Sequence, residues 1–258
     1  MKITIVQRDG EKRIPELYKN FDVVKDGEIY IAIGGDGTFI KAAQMTEKPV
    51  LWIRDEKWGS IGYHSDVRLD DLGLVIKKLK AKDFYIEPFS RKIEVAYKNK
   101  KYFGVNEVRL NNIVMEVSFK VFETLGRSRI PLYPFVMSGD GLIVSTKMGS
   151  TAYNSSAGGP IVLDTNIMCV TFVNPDAPYS RPLVMNSENE VEVEIVKYDG
   201  ILMFDNTKIA TVKMGDKFKI KLSSKMIKIV RLNGMIEGLS EKVERRIRSK
   251  LVTDFKDK

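Results

Sequence analysis

Short apolar segments alternate with amphipathic ones over the first third of the chain. The apolar segments have the length of strands and read KITIV (2–6), EIYIAIG (28–34) and VLWI (50–53). Apolar residues at helical spacing occur in TFIKAAQM (38–45) and in DDLGLVIKKLKA (70–81). This order of strand, helix and strand predicts a parallel sheet with helices on its faces.

From about residue 90 the pattern is that of strands alone. Short segments follow one another from RKIEVAY (91–97) to MIKIVRL (226–232), and apolar and polar residues alternate in many of them. Gly, Asn, Asp or Lys residues separate the segments, as they do in turns between antiparallel strands. The pattern predicts an all-β domain, built as a sandwich or as stacked sheets.

The end of the chain returns to helical spacing. One apolar stripe steps by three or four residues through Ile236, Leu239, Val243, Ile247 and Leu251. A helix with such a stripe has to bury it, and we expect it to pack back on the first domain. The predicted organisation is an N-terminal α/β domain (1–90), a β-sandwich domain (91–232) and a C-terminal helix (233–258).

Composition narrows the class of protein. The net charge is +8 and the pI is about 9.3, which suits anionic ligands; the charge is spread out, so we expect no nucleic-acid partner. No apolar run approaches the ~18 residues of a membrane span, and the first residues do not form a secretion signal. These features predict a cytoplasmic protein without a membrane partner. Two glutamines among many Lys and Glu residues are typical of proteins from hot environments.

The chain has one cysteine and one histidine. Cys169 lies in the apolar run IMCVTFV, which predicts a thiol in the core rather than a nucleophile. His64 lies in GYHSD, which has the character of a loop. A Ser-His-Asp triad or a multi-histidine metal site would therefore depend on this single imidazole.

The first candidate site is IAIGGDGTFIKAA (31–43), in which glycines separate a buried strand from a helix. Glycines let the backbone turn sharply and approach a ligand, and a helix N-terminus offers amides and positive potential to a phosphate. Asp36 would then lie beside the phosphate, where a carboxylate can accept a proton or bind a metal. In the alternative interpretation, Asp36 only caps the helix. The motif is neither GxGxxG nor GxxxxGK[ST].

A second candidate site is GDGLIVSTKMGSTAYNSSAGGP (139–160), with five glycines and many small hydroxyl side chains. Side chains this small indicate that a ligand lies close to the backbone of this segment. Asp140 and Tyr153 suit a nucleoside, because a carboxylate holds ribose hydroxyls and a phenol ring offers a stacking face. The alternative is a Gly/Ser-rich surface loop. The pair Asn106-Glu107 in GVNEVRL is weak alone and is usually a turn or surface pair.

Together, GGDGT, the Asn-Glu pair and GDGLIVST…GSTAYNSSAGGPIV resemble the NAD kinases over residues 28–185. GGDGT is shared with diacylglycerol, sphingosine and 6-phosphofructokinases, so the third motif carries most of the specificity. The resemblance implies transfer of the γ-phosphoryl of ATP, or of another donor, to the 2′-hydroxyl of the adenosine ribose of NAD. It also implies a divalent metal, Mg²⁺ or Mn²⁺, held mainly by the donor phosphates. A homodimer or homotetramer with NAD sites near subunit contacts is implied as well.

The resemblance also implies roles for individual residues. Asp36 matches the family's proposed catalytic base. The implied nucleotide- and NAD-binding residues are Gly34, Gly35, Asp36, Gly37, Thr38, Asn106, Glu107, Asp140, Thr151, Ala152, Tyr153, Asn154, Ser155 and Ser156. Further candidates are Ser138, Asp176, Thr207 and His64.

Several positions depart from the family pattern. Lys147-Met148 replaces a usual Pro-Thr, and NPDAPYSRP places Asp176 near a usual histidine. The tripeptide DNT (205–207) replaces DGQ, which puts the family's glutamine contact to NAD in doubt at Thr207. WGSIGYHSD (58–66) resembles the family's LGFL segment. These changes bear on the preference for NAD or NADH and on the choice of donor.

Three other interpretations remain at this point. A lipid or sugar kinase would share GGDGT but should lack the segment STAY (150–153). A catalytically silent NAD-binding regulator would be expected to lose the acid at Asp36, which is present. A basic nucleic-acid binder would bind DNA with steep salt dependence.

Overall fold

The computed structural model describes residues 1–7, 14–55, 64–177, 179–238, 240–242 and 244. The chain divides into two compact units. The first, called the α/β unit below, comprises Met1–Phe89 and Ile227–Lys258, and the second, called the β unit, comprises Ser90–Met226. No helix among the described residues is long and apolar enough to span a membrane.

The α/β unit contains short strands and helices in alternation. Its strands are β1 (Lys2–Gln7), β2 (Asp22–Val23), β3 (Ile29–Ile33), β4 (Val50–Arg54) and β5 (Val67–Arg68). Its helices are α1 (Pro15–Asn20), α2 (Asp36–Met45) and α3 (Leu72–Ala81). Two long strands, β6 (Phe84–Tyr97) and β18 (Lys217–Leu232), contribute residues to both units.

The sheet of the α/β unit is parallel, as the sequence predicts. Its strands lie in the order β2-β1-β3-β4, and β4 also pairs in parallel with β5 and with Ile229 of β18. Every residue of β3 and β4 is buried. Central strands with both faces covered are continuous apolar runs of this kind, which explains why IYIAI and VLWI do not alternate.

Some elements differ from those predicted. Helix α2 begins at Asp36, two residues before the predicted start, because Asp36 and Gly37 form its first turn despite their low helix propensity. The elements α1, β2 and β5 were not predicted. They have six, two and two residues, too few to produce a recognisable period.

The β unit consists of two sheets. Its remaining strands are β7 (Lys100–Gly104), β8 (Glu107–Asn112), β9 (Val117–Leu125), β10 (Ser128–Pro131), β11 (Met137–Gly139), β12 (Gly141–Ser145), β13 (Ile167–Val173), β14 (Leu183–Asn186), β15 (Glu190–Lys197), β16 (Gly200–Phe204) and β17 (Thr207–Val212). One sheet is antiparallel throughout, in the order β14-β13-β12-β8-β16-β17. The other contains β10-β9-β15-β18, with β11 beside β9, β6 beside β18 and β7 beside β6. A one-turn helix, α4 (Tyr153–Ser156), follows β12.

The core of the β unit lies between these sheets. Leu110 and Val144 from the six-stranded sheet belong to one buried cluster with Val193 and Phe218 from the other sheet. Aromatic stacking also joins the two sheets, because the ring centroids of Phe119 and Phe172 are 6.3 Å apart. The α/β and β-sandwich fold classes predicted from the sequence are confirmed.

Charged side chains bind the end of β18 and the residues after it to the rest of the α/β unit. Arg231 donates to Glu87 over 2.7 Å and also pairs with Asp66. The ammonium group of Lys242 lies 2.7 Å from Asp66, and Glu237 lies 3.3 Å from Arg54. The side chains of Arg231 and Asp66 are each only 5% exposed, so these groups depend on one another for solvation.

The predicted C-terminal helix falls mainly outside the described residues. Leu239, Val243, Ile247 and Leu251 are not described, and Ile236 is half-exposed. In the described part of this segment, Glu237 and Lys242 form ion pairs with the α/β unit, Asn233 donates to Asp83 over 2.7 Å, and Met235 packs against the apolar core.

We predict that Arg231→Met lowers the free energy of unfolding by about 3 kcal/mol, because Glu87 loses its cation and Asp66 is left with Lys242 and the Glu237 amide. Urea unfolding measures the change. The matched control is Lys48→Met in the same unit, which removes an exposed pair with Asp26 and should barely move the midpoint. Equal shifts for the two variants would mean that the buried pairs do not stabilise the unit.

Candidate functional site

The glycine loop after β3 is held rigidly in the α/β unit. The Gly34 amide donates to the Ile53 carbonyl over 3.0 Å, and the Trp52 indole donates to the Gly34 carbonyl over 3.0 Å. Trp52 also stacks on Phe39 of α2, with ring centroids 4.6 Å apart. Gly34 has a φ of +139°, and a Cβ there would lie 2.7 Å from the Thr38 hydroxyl, so both backbone and space require glycine.

Asp36 is the first residue of α2 and is half-buried. Gly35 occupies the N-cap position with extended backbone, so the alternative in which Asp36 is the cap does not hold. Amides in the first turn of a helix lack intrahelical acceptors and carry partial positive charge. A Cβ at Gly37 would meet nothing within 4 Å, which leaves this turn open to a ligand.

In the β unit, Asn106 lies in the turn between β7 and β8, and Glu107 is the first residue of β8. The carboxylate of Asp205 organises this turn by accepting from the amides of Val105 (2.9 Å), Asn106 (2.7 Å) and Glu107 (3.3 Å). Asp205 is only 3% exposed and lies between β16 and β17 with a φ of +45°. The DNT tripeptide therefore supplies an anchor for the Asn-Glu turn, which sequence reasoning did not assign to it.

Two side-chain oxygens of this turn are buried and have no hydrogen-bond partner in the described part of the chain. Glu107 is 5% exposed, and neither its Oε2 nor Oδ1 of Asn106 has a hydrogen-bond partner among the described residues. Burial, followed by the Asp205 carboxylate, raises the pKa of Glu107 from near 4.5 to about 7, and Arg109 opposes the rise. Two buried acceptors are thus left for a ligand that donates hydrogen bonds.

The small-residue segment after β12 packs against this turn. A Cβ at Gly149 would lie 2.0 Å from the Asn106 carbonyl oxygen, and one at Gly141 would lie 1.8 Å from the Leu110 carbonyl oxygen. The interpretation that these glycines make room for a ligand is therefore wrong at both positions. They are small because the protein's own backbone lies against them.

Asn154 likewise serves the fold. Its side chain is fully buried and donates to the Ser150 and Pro160 carbonyls over 3.2 and 3.0 Å, while Thr171 donates to its Oδ1 over 2.7 Å. The Thr151 hydroxyl is also buried and donates to the Met148 carbonyl. The polar side chains of Asn154 and Thr151, which the sequence predicted as ligand contacts, therefore form hydrogen bonds within the protein instead.

Tyr153 has the opposite character. It is 37% exposed, and the guanidinium carbon of Arg109 lies 5.4 Å from the centroid of its ring. Ala152 and Ser155 beside it are partly exposed, and Ser156 is exposed. This part of the segment presents an aromatic face and small side chains next to the Asn106-Glu107 turn.

Asp140 lies at the other end of β12. The register pairs Gly141 with Asn111 and Ser145 with Glu107. At about 3.3 Å per residue, the four steps along β12 separate these ends by roughly 13 Å. Asp140 therefore lies too far from Glu107 to share a contact with it, although both residues belong to the β unit.

Asp140 has its own fixed surroundings. Its carboxylate accepts from the amide groups of Asn112 over 2.9 Å and Asn174 over 2.6 Å. Ser138 lies nearby, since its carbonyl accepts from the Asp176 amide over 3.0 Å. Asp140 and Asp176 both line a cavity of about 350 Å³ at this end of the sheet.

The remaining candidates have other surroundings. The His64 ring packs edge-on against Phe89, with centroids 4.9 Å apart in the α/β unit, and Thr207 is exposed at the start of β17. Residues 58–63 of the WGSIGYHSD segment lie outside the described residues. Cys169 is fully buried, and burial raises the pKa of its thiol to about 11, which confirms a core thiol rather than a nucleophile.

Comparison with known proteins decides the family. The chain is 31% identical over 232 residues to the NAD kinase of Caldicellulosiruptor saccharolyticus, a match that covers 88% of this chain and 85% of that protein. It is also 31% identical over 236 residues to the NAD kinase of Thermoplasma volcanium, covering 87% and 79%. The model of the ATP-NAD kinase C-terminal domain matches residues 131–232. This chain belongs to the NAD kinase family.

Solved structures of NAD kinases share the fold. The NAD kinase of Archaeoglobus fulgidus in complex with ATP superimposes with a TM-score of 0.74 at 21% identity, covering 95% of this chain and 99% of that one. Yeast NADH kinase complexed with NADH gives a TM-score of 0.70 at 19% identity, covering 93% and 76%. The family and enzyme class predicted from the three motifs are confirmed, and the other three interpretations are set aside.

We predict that Glu107→Gln stabilises the protein at high pH. The folded-state pKa of Glu107 is raised to about 7. Ionisation of this carboxyl therefore does not lower the free energy of unfolding below pH 4.5, and it lowers that free energy progressively between pH 4.5 and pH 7. The variant should gain about 3 kcal/mol in free energy of unfolding at pH 8 and less than about 1 kcal/mol at pH 5.

Urea unfolding at both pH values measures this difference. The control is Glu188→Gln, which removes an exposed carboxylate and should change stability little at either pH. A Glu107→Gln variant that is equally stable or less stable than the wild type at pH 8 would show that the carboxylate is already compensated in the fold.

Proposed function

We propose that this chain transfers the γ-phosphoryl of ATP, or of another donor, to the 2′-hydroxyl of the adenosine ribose of NAD, giving NADP. The observation that carries the proposal is the Asn106-Glu107 turn, which has two unpaired buried oxygens among the described residues and is linked through Arg109 to the partly exposed ring of Tyr153. Carboxylate and amide oxygens accept from ribose hydroxyls, and a tyrosine ring offers a stacking face to a base. This combination suits the adenosine part of NAD.

The donor phosphates are proposed to bind at the N-terminus of α2. The first-turn amides and the helix dipole favour phosphate oxygens there. The rigid Gly34 and the open space at Gly37 support a close approach of the phosphate chain to this turn. Gly35 and Gly37 would form this contact through the backbone, whereas the amides of Gly34 and Thr38 are bonded to Ile53 and Gly35 and would hold the loop in shape.

Asp36 is proposed as the catalytic base. In this reaction the 2′-oxygen of the ribose attacks the γ-phosphorus, the bond from the γ-phosphorus to the bridging oxygen breaks, and the diphosphate leaves. The proton of the 2′-hydroxyl passes to the carboxylate of Asp36. A half-buried carboxylate at the first residue of α2 stands beside the proposed phosphates, where such a proton has to be accepted.

A divalent cation, Mg²⁺ or Mn²⁺, is proposed to accompany the donor. Mg²⁺ in kinase sites is usually bound by substrate phosphates with one or two carboxylates, and the residues at α2 fit this arrangement because they offer amides and one carboxylate. When bound, the cation supplies positive charge to the γ-phosphoryl group. The chain's own residues bind the phosphates and move the proton.

Other assignments remain proposals of the same kind. Ala152, Ser155 and Ser156 are proposed to line the base and ribose beside Tyr153. Asp140, with Ser138 and Asp176, is proposed as a separate contact to NAD at the other end of β12. We also propose a cytoplasmic homodimer or homotetramer.

The function is tested by incubating the purified chain with NAD, ATP and Mg²⁺ and measuring NADP by mass spectrometry. Other triphosphates and polyphosphate serve as alternative donors in parallel reactions. NADP formation is expected with at least one donor. A folded sample that makes no NADP with any of them contradicts the proposal.

We predict that Asp36→Asn lowers kcat for NADP formation by about 10²- to 10⁴-fold, because the amide cannot accept the proton. Folding and the Kd for NAD should stay close to wild type, since asparagine is nearly isosteric. The control is Asp22→Asn, which changes an exposed aspartate of the same unit and should leave kcat unchanged. Near-wild-type turnover of Asp36→Asn would assign the proton to another acceptor.

A further inference from the structure

Arg109 lies next to the proposed adenosine site but belongs to none of the motifs. It follows Glu107 by two residues on β8, so both side chains project from the same face of the six-stranded sheet. Its side chain is only 15% exposed, and its Nε lies 3.7 Å from Oε1 of Glu107. A buried guanidinium at this position needs a reason, since burying a charge is costly.

The guanidinium contacts three different parts of the site. One terminal nitrogen donates to the Asp205 carbonyl over 2.8 Å, and the group lies over the ring of Tyr153 with 5.4 Å between its carbon and the ring centroid. Its Nε points toward Glu107 but makes no hydrogen bond within the described residues. One side chain thus joins the anchor of the Asn-Glu turn, the turn's carboxylate and the exposed ring.

This geometry restrains groups that would otherwise move. A guanidinium is planar, and its bond to the Asp205 carbonyl fixes the plane. Attraction between a cation and an aromatic face then favours one orientation of the Tyr153 ring. The same charge favours the ionised form of Glu107 against the nearby Asp205 carboxylate.

We propose that Arg109 is a positioning residue for NAD, holding the Tyr153 ring and the Glu107 carboxylate together in the arrangement that binds adenosine. The inference rests on the proposed function and assigns a role in substrate affinity rather than in the phosphoryl step. Arg109 acts through Tyr153 and Glu107 and does not need to touch the reacting atoms.

The test compares Arg109→Met, which keeps the aliphatic stem but removes the charge, with Arg109→Lys. Arg109→Met should raise the KM for NAD about 3- to 30-fold, the range for loss of an ion–ring contact, with kcat within about twofold of wild type. Arg109→Lys should give a KM for NAD between those of the wild type and Arg109→Met, because lysine restores the charge but not the planar guanidinium. The control Arg127→Met changes an exposed arginine and should leave KM unchanged.

A double-mutant cycle with Tyr153→Ala separates positioning from direct binding of a phosphate by Arg109. If Arg109 acts through the ring, adding Arg109→Met to Tyr153→Ala should raise the KM for NAD much less than it does in the wild type. Fully additive effects would overturn the proposal. The acid limb of the pH profile for kcat/KM should also move to higher pH in Arg109→Met. Without the Arg109 cation, the Asp205 carboxylate raises the pKa of Glu107 unopposed.

Each outcome can be assigned. A wild-type chain that makes no NADP refutes the proposed function, whereas a wild-type chain that makes NADP while Arg109→Met keeps its KM for NAD and its pH profile refutes only the role of Arg109. If Arg109→Met does not fold, the cycle is run with Arg109→Lys. That variant should still raise KM non-additively with Tyr153→Ala, and an unchanged KM would overturn the inference.

Discussion

The candidate site in the β unit depends on one carboxylate that binds three successive backbone amides. Asp205 accepts from Val105, Asn106 and Glu107, and hydrogen bonds to a charged acceptor are about twice as strong as neutral ones. The Asn106 carbonyl of the same turn then accepts from the Thr146 amide, and Gly149 packs against it. The turn and the small-residue segment are therefore both placed by this anchor.

The anchor has an electrostatic consequence. Burial of Glu107 raises the pKa of its carboxyl, the Asp205 carboxylate adds to the rise, and Arg109 opposes it. Unpaired oxygens remain on Asn106 and Glu107. Stable folds rarely leave buried polar atoms unpaired, and exceptions concentrate where a ligand completes the pairing. Under the proposed function, these oxygens would accept hydrogen bonds from the ribose hydroxyls of NAD.

The sequence predicted those features that produce a period or a motif. Alternation and apolar runs indicated the parallel sheet and the sandwich, and GGDGT placed a glycine loop before α2. Asp205 and Arg109 were not predicted as site residues because their contacts join positions far apart in the chain, such as Asp205 and Asn106. The glycines at 141 and 149 were misinterpreted. Glycine is required wherever a backbone is approached closely, and the sequence does not show whether the approaching group is a ligand or the protein's own backbone.

The most direct test of this account is amide hydrogen exchange of Val105, Asn106 and Glu107 in Asp205→Asn, combined with the Kd for NAD. Asparagine tolerates the left-handed backbone of this position, but it removes the charge and replaces one of the two accepting oxygens with an NH2 group that cannot accept. The account predicts that protection of the three amides falls by about 10-fold, as expected when a charged acceptor becomes neutral, and that NAD binding weakens with it. Unchanged protection together with an unchanged Kd would contradict the central role of Asp205.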